Sequence, residues 1–123
     1  MKLQVKEQSI RLRLAEADLA ELLATGQCSN STSLGAGHCW NRTLRLVEAD
    51  AGFTREGDSW RFAIPRQAFE AFASERPRRD GYLTTLAEGT NHAIELSVEV
   101  DVRDSRKHAQ VDNRRTARTM RPD

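Results

Sequence analysis

The feature that most constrains this chain is a pattern written twice, the second time fifty residues after the first. Ser9-Ile10-Arg11-Leu12-Arg13-Leu14 leads into Leu19-Ala20-Glu21-Leu22, and Ser59-Trp60-Arg61-Phe62-Ala63-Ile64 leads into Phe69-Glu70-Ala71-Phe72. In each copy alternating apolar residues give way to apolar residues three apart, the mark of a strand running into a short helix. Leu12 matches Phe62, Leu14 matches Ile64, Leu19 matches Phe69 and Leu22 matches Phe72. The same spacing sets Asn41, Leu44 and Leu46 fifty residues before Asn91, Ile94 and Leu96. A second pair of strands is therefore expected in each copy, making two tandem β-β-α-β-β units.

Two units of this size are too small to bury adequate cores separately, so one α+β domain over residues 1–103 is expected, with repeats at 1–50 and 51–103. It would have approximate twofold symmetry and an antiparallel sheet or small barrel carrying two short helices. In the first copy, strands are expected at Lys2 to Lys6, at Ser9 to Leu14 and from Trp40 to Ala49. A helix from Glu16 buries Leu19, Leu22 and Leu23 and stops at Gly26. Residues 27–38 are polar and read as a weak edge strand with a turn at Gly35-Ala36-Gly37.

In the second copy, Gly57-Asp58 turns the hairpin, Pro65 opens a helix that ends by Pro77, and Arg76 to Asp80 form a charged turn. A strand follows at Gly81 to Leu86. From Ala93 to Val102, Ile94, Leu96, Val98, Val100 and Val102 alternate with Glu95, Ser97, Glu99 and Asp101, predicting a long strand wetted on one face.

Of 123 residues, 38% are hydrophobic and 30% charged, a soluble globular composition. No stretch approaches a membrane span, and Met1 to Glu7 offers no signal-peptide apolar region, so a cytoplasmic protein with no membrane partner is expected. The formal net charge of +1 conceals a division. Residues 103–123 hold seven basic and three acidic side chains, while the remainder holds twelve basic and fifteen acidic. Residues 104–123 read as a disordered basic tail on a mildly acidic body.

Met1-Lys2-Leu3-Gln4-Val5-Lys6-Glu7-Gln8-Ser9-Ile10-Arg11-Leu12-Arg13-Leu14 resembles the opening of a small bacterial family to which no activity is assigned. That family has Gly-Asn where this chain has Glu7-Gln8, and a cysteine-containing segment in place of Asp104 to His108. Separately, Arg55-Glu56-Gly57-Asp58-Ser59-Trp60-Arg61-Phe62-Ala63-Ile64-Pro65 is similar to the hairpin-to-helix signature of the swapped-hairpin DNA-binding proteins of AbrB and MazE type. In the first copy Lys6, Ser9, Leu12, Arg13 and Leu14 match that signature, while Glu7 and Ala15 replace its glycine and proline. Those proteins interleave two β-β-α-β-β subunits as a dimeric barrel, so the resemblance implies that a tandem copy forms the barrel within one chain. Ala63 stands where their strand arginine would be.

The resemblance implies a nucleic-acid-facing surface at Arg11, Arg13, Arg55 and Arg61, and we expect a non-enzymatic binding module with nucleic acid or a protein as partner. The alternative is a small-molecule-binding or accessory protein using the crevice between the repeats. A monomer or weak dimer without a cofactor is expected.

The chemical candidates give way to simpler readings. Cys28 and Cys39 are eleven residues apart with His38 beside the second; they lack a close cysteine pair and a fourth ligand, so reduced thiols in a loop or at a strand edge are expected rather than a metal site or a disulfide. Cys39 has no positioned base, because strand neighbours such as His38 point to the opposite side. Glu95, Glu99 and Asp101 read as a solvated strand face, His92 as a turn residue, and Trp40, Trp60, Phe53, Phe62, Phe69 and Phe72 as core.

Overall fold

The structure is a computed structural model describing residues 1–75 and 81–101. Among these are eight strands and two helices: β1 (Lys2–Lys6), β2 (Ser9–Leu14), α1 (Glu16–Thr25), β3 (Gln27–Gly35), β4 (His38–Val47), β5 (Gly52–Glu56), β6 (Ser59–Pro65), α2 (Arg66–Ala73), β7 (Tyr82–Leu86) and β8 (Ile94–Val100). They form two four-stranded sheets, one ordered β1-β2-β8-β7 and the other β3-β4-β6-β5. The α+β class is as expected.

The predicted single antiparallel sheet or barrel is replaced by two open mixed sheets. Each has antiparallel hairpins outside and a parallel pair at its centre, β2 beside β8 in the first and β4 beside β6 in the second. Antiparallel strands need only a tight turn between them, whereas a parallel pair requires a long connection, and the chain supplies one in both sheets. With β1, β7, β3 and β5 each paired on one side, neither sheet closes on itself.

The fifty-residue spacing holds for the first hairpin and helix of each copy and fails further on. Leu12 lies beside Val98, and Phe62 lies beside Leu44. Leu44 and Val98 stand 54 positions apart, so Leu44 does not match Ile94, and Asn91 falls in the turn before β8. The discrepancy enters after the helix. Leu22 precedes the core-facing Cys28 by six residues, whereas Phe72 precedes Tyr82, which faces Val98 as Cys28 faces Leu44, by ten.

One hydrophobic core joins both sheets and both helices. Leu12, Leu14, Leu22, Leu44, Phe62, Ile64, Phe69, Leu96 and Val98 are fully buried in it. Alternation places Ile10, Leu12 and Leu14 of β2 inward and sends Arg11 and Arg13 outward. In α1 only Leu19 and Leu22 are buried. Leu23 is exposed, because a ten-residue helix at the edge of the core presents too narrow a stripe to bury all three. Asp18 Oδ2 accepts the Ala15 N–H at 3.0 Å to secure the first turn of α1, and Gly26 ends the helix at φ 89°. Pro65 closes β6 and occupies the N-cap position, with α2 beginning at Arg66.

Val102, the charged turn Arg76 to Asp80, Pro77 and the tail 104–123 lie outside the described residues.

The rigid packing predicts that Phe62→Ala lowers stability by about 3–5 kcal/mol, read from chemical denaturation. A loss below about 1 kcal/mol is incompatible with its burial. The two hairpin turns give a second expectation. Gly57 sits at φ 57°, while Glu7 adopts a left-handed φ of 52° that a side chain resists. Glu7→Gly should raise the denaturation midpoint by the equivalent of about 0.5–1 kcal/mol, and a loss would mean that the Glu7 side chain itself supports the turn.

Candidate functional site

On the outer face of the first sheet, strand register assembles rows of polar side chains. Lys2 lies beside Arg13 and Glu99, Gln4 beside Arg11, Ser97 and Leu83, and Lys6 beside Ser9, Glu95 and Thr85. Lys2, Leu3, Gln4, Arg11 and Arg13 line an open groove of about 240 Å³. Glu99 sits between the two arginines. Arg11 Nε approaches Glu99 Oε2 at 3.2 Å, and Arg13 donates from Nη2 to Glu99 Oε1 at 3.4 Å. The arginine side chains are 48% and 34% exposed against 24% for the glutamate, so the cations are the outer members of the triad. Gly81 abuts the same carboxylate: a Cβ there would lie 2.7 Å from Glu99 Cγ and 2.9 Å from Ser97 Oγ. The Val98 carbonyl oxygen would lie at 2.9 Å as well, so a residue larger than glycine forces this part of β8 or the Gly81 backbone to shift.

Arg55 and Arg61 stand on the second sheet, away from this group. Arg61 is on its outer face and pairs with Glu56 at 3.0 Å. Arg55 lies beside Trp60, the neighbour of Arg61, and strand alternation turns it to the opposite face. The four arginines therefore do not share one surface: Arg11 and Arg13 are brought together, Arg55 and Arg61 are separated from them and from each other.

The inner face of the second sheet carries a group whose aromatic members the sequence pattern places simply in the core. One row runs Arg55, Trp60, Arg42, Asn30, and the next places Trp40 beside Thr32. Arg42 is 8% exposed. Its guanidinium lies 4.5 Å from the Trp40 ring centroid and donates to Thr32 Oγ1 at 2.9 Å. Trp60 meets Trp40 edge to face at 5.3 Å and Phe53 at 5.6 Å. Both tryptophans are only half-buried. The signal that marks Arg42 was present in the sequence, since Trp40, Arg42, Leu44 and Leu46 alternate and must share the inward face.

Cys28 lies on the edge strand β3, where it faces Leu44 across the hairpin and is buried; Cys39 is exposed on β4. Burial, with Asp18 and Glu21 nearby, pushes the Cys28 thiol from its ordinary value of 9.0 up to about 12. Burial also raises the Tyr82 phenol. Glu95 and Glu99 lie on the outer face of β8, with Glu99 held by the arginines, and His38 is exposed at the start of β4. Among the described residues no group of three or more His, Cys, Asp or Glu could hold a metal ion, and no helix is long and apolar enough to cross a membrane.

The raised thiol makes stability depend on alkaline pH. A group neutral in the fold and more acidic when unfolded leaves stability intact below pH 9 and drains it as pH rises toward 12. Unfolding free energy should therefore fall above pH 9 by up to about 1.4 kcal/mol per pH unit from this group, with Tyr82 adding to the fall, and Cys28→Ala should remove the cysteine's share of the slope. An unchanged slope would place the titration elsewhere.

The profile of a family of unknown function (DUF7009) matches residues 1–116, and the chain belongs to that family. No curated protein matches the chain. No solved structure matches it either.

Proposed function

We propose that this member of the family is a non-enzymatic binding module that engages nucleic acid through the outer face of its first sheet. The observation that carries the reading is the groove in which Lys2, Arg11 and Arg13 converge. Phosphate binding rewards clustered cations, since each neutralised phosphate releases condensed counterions. On this face Lys2, Lys6, Arg11 and Arg13 stand against Glu95, Glu99 and Asp101, a narrow positive excess on a body whose overall balance is acidic. Exposed ion pairs such as Arg11–Glu99 contribute little to stability, so a phosphate can take over the guanidinium at small cost.

We also infer that the chain is a tandem duplication with approximate twofold symmetry. Exchanging β1–β4 with β5–β8 converts the order β1-β2-β8-β7 into β5-β6-β4-β3, the order of the other sheet. Glu95 N–H donates to Gln8 O at 2.9 Å, and Asn41 N–H donates to Asp58 O at 2.9 Å, equivalent bonds in the two halves. The proposed kinship with the swapped-hairpin DNA-binding proteins rests on the residue pattern of the two hairpins, with the two halves in place of two subunits, and not on their closed barrel, which the two open sheets replace.

Binding to duplex and single-stranded DNA should weaken steeply with salt, and changing Arg11 and Arg13 to Ala should flatten the log–log dependence by about one unit per lost contact. A double variant that binds like the parent rules this face out. Deleting residues 104–123 separates the basic tail from the face: binding that disappears entirely with the tail would assign the affinity to a nonspecific arm.

A further inference from the structure

The inner face of the second sheet carries polar groups that the fold does not require. Stepping out from the central row of the first sheet, Leu12 beside Val98, the next row is Val5, Ile10, Leu96 and Thr84, and beyond it Ile94 lies beside Leu86. Ile10, Leu96 and Leu86 are buried, so that sheet is finished with ordinary apolar packing. Stepping out from Phe62 beside Leu44 in the second sheet, the corresponding row is Arg55, Trp60, Arg42 and Asn30, and beyond it Trp40 lies beside Thr32. Burying a guanidinium is expensive unless a counter-charge accompanies it. Among the described residues, no carboxylate lies within ion-pair distance of Arg42, whose partners are the Thr32 hydroxyl and the Trp40 ring. Asn30 Oδ1, beside it in register, is buried and accepts no hydrogen bond. A buried cation lacking its anion and a buried acceptor lacking its donor stand side by side, against the partly exposed rings of Trp40, Trp60 and Phe53.

We propose that this end of the second sheet is a binding site for a carboxylate that carries an N–H or O–H donor next to it on a flat apolar body. The carboxylate pairs with Arg42, the adjacent donor satisfies Asn30 Oδ1, and the apolar body packs on the tryptophan edges. Arg55, in the same row, adds a second positive charge and disfavours a ligand bearing a free ammonium. Inorganic phosphate fits poorly, because it has no apolar body to pack on the rings of Trp40, Trp60 and Phe53. The carboxylate can come from a free amido or hydroxy acid or from the C-terminus of a peptide, since both place a donor beside it. This site is separate from the arginine groove on the first sheet and stands or falls independently of it.

The chain has two tryptophans, so its two indole N–H signals report the site directly in an NMR titration. N-acetyl-phenylalanine should move both signals saturably, and its carboxamide, which lacks the charge, should bind about tenfold or more weakly. Arg42→Gln should weaken the acid by a similar factor, while changing Arg11 and Arg13 to Ala should leave it unaltered. Phenyllactate and a tripeptide ending in phenylalanine distinguish the sources, the tighter of the two naming the free acid or the peptide terminus. Absence of a saturable shift up to about 10 mM acid, equal binding of the carboxamide, or equal competition by inorganic phosphate would overturn the proposal. The comparison of acid with carboxamide uses the parent protein, so it decides the matter even if Arg42→Gln does not fold.

Discussion

The parallel contacts at the centre of the two sheets hold this structure together. Among the described residues, neither half forms a four-stranded sheet by itself. Each contributes two hairpins, and an isolated hairpin is marginal in water because it exposes one apolar face and two unpaired edges. Only when β2 lies beside β8 and β4 beside β6 do the hairpins become four-stranded sheets whose inner faces, with α1 and α2, enclose one core. Core packing, the Arg11–Glu99–Arg13 triad and the row that buries Arg42 beside Trp60 all depend on that register.

The two contacts make different demands on folding. Asn41 pairs with Ser59 only 18 positions away, so residues 27–65 can assemble the second sheet from contiguous chain. Ser9 pairs with Glu95 across 86 positions, and the first sheet requires the two ends of the domain to meet. Loop-closure entropy rises with separation, although slowly, so the second sheet is the natural early structure and the first completes it. The cations of the outer face come from the local β1–β2 hairpin, and the later contact adds the Glu99 carboxylate of β8 that joins Arg11 and Arg13.

Much of this architecture was legible in the sequence because it rests on local patterns. Alternation in Ser9 to Leu14 and in Ile94 to Val100 identified strands, the three-residue spacing of Phe69 and Phe72 identified a helix, and Gly26 marked a stop. Strand direction was not legible, since a parallel and an antiparallel neighbour ask for the same alternating face. The 54-residue offset was hidden for a related reason: Leu44 matches Ile94 as well as Val98 in polarity, and only pairing chooses between them. The arginines were located correctly on strands, but hairpin membership does not say which sheet a hairpin joins, and so Arg55 and Arg61 were grouped with residues they do not meet. Arg42 was missed because an arginine on an alternating strand is ordinarily read as solvent-facing, although its parity with Leu44 and Leu46 places it inside.

The difference between the sheets bears on where function resides. A fold that can finish one inner face with Ile10, Leu96 and Leu86 has an apolar solution for that position, and replacing it by Trp60, Arg42 and Asn30 lowers stability rather than raising it. A Trp40 ring over the guanidinium offsets part of the desolvation, and the Thr32 hydroxyl satisfies one of its donors. Neither supplies the missing charge. The outer face of the first sheet poses the opposite problem, with excess cations held apart from the core, where water screens them and Glu99 orients two of them. An exposed cationic face suits an extended polyanion that arrives with its own counterions, while a recessed single guanidinium suits one compact anion that can shed its water. The two sheets share a strand order and differ in the side chains laid on it, so the ligands proposed for them differ in size and charge density as well.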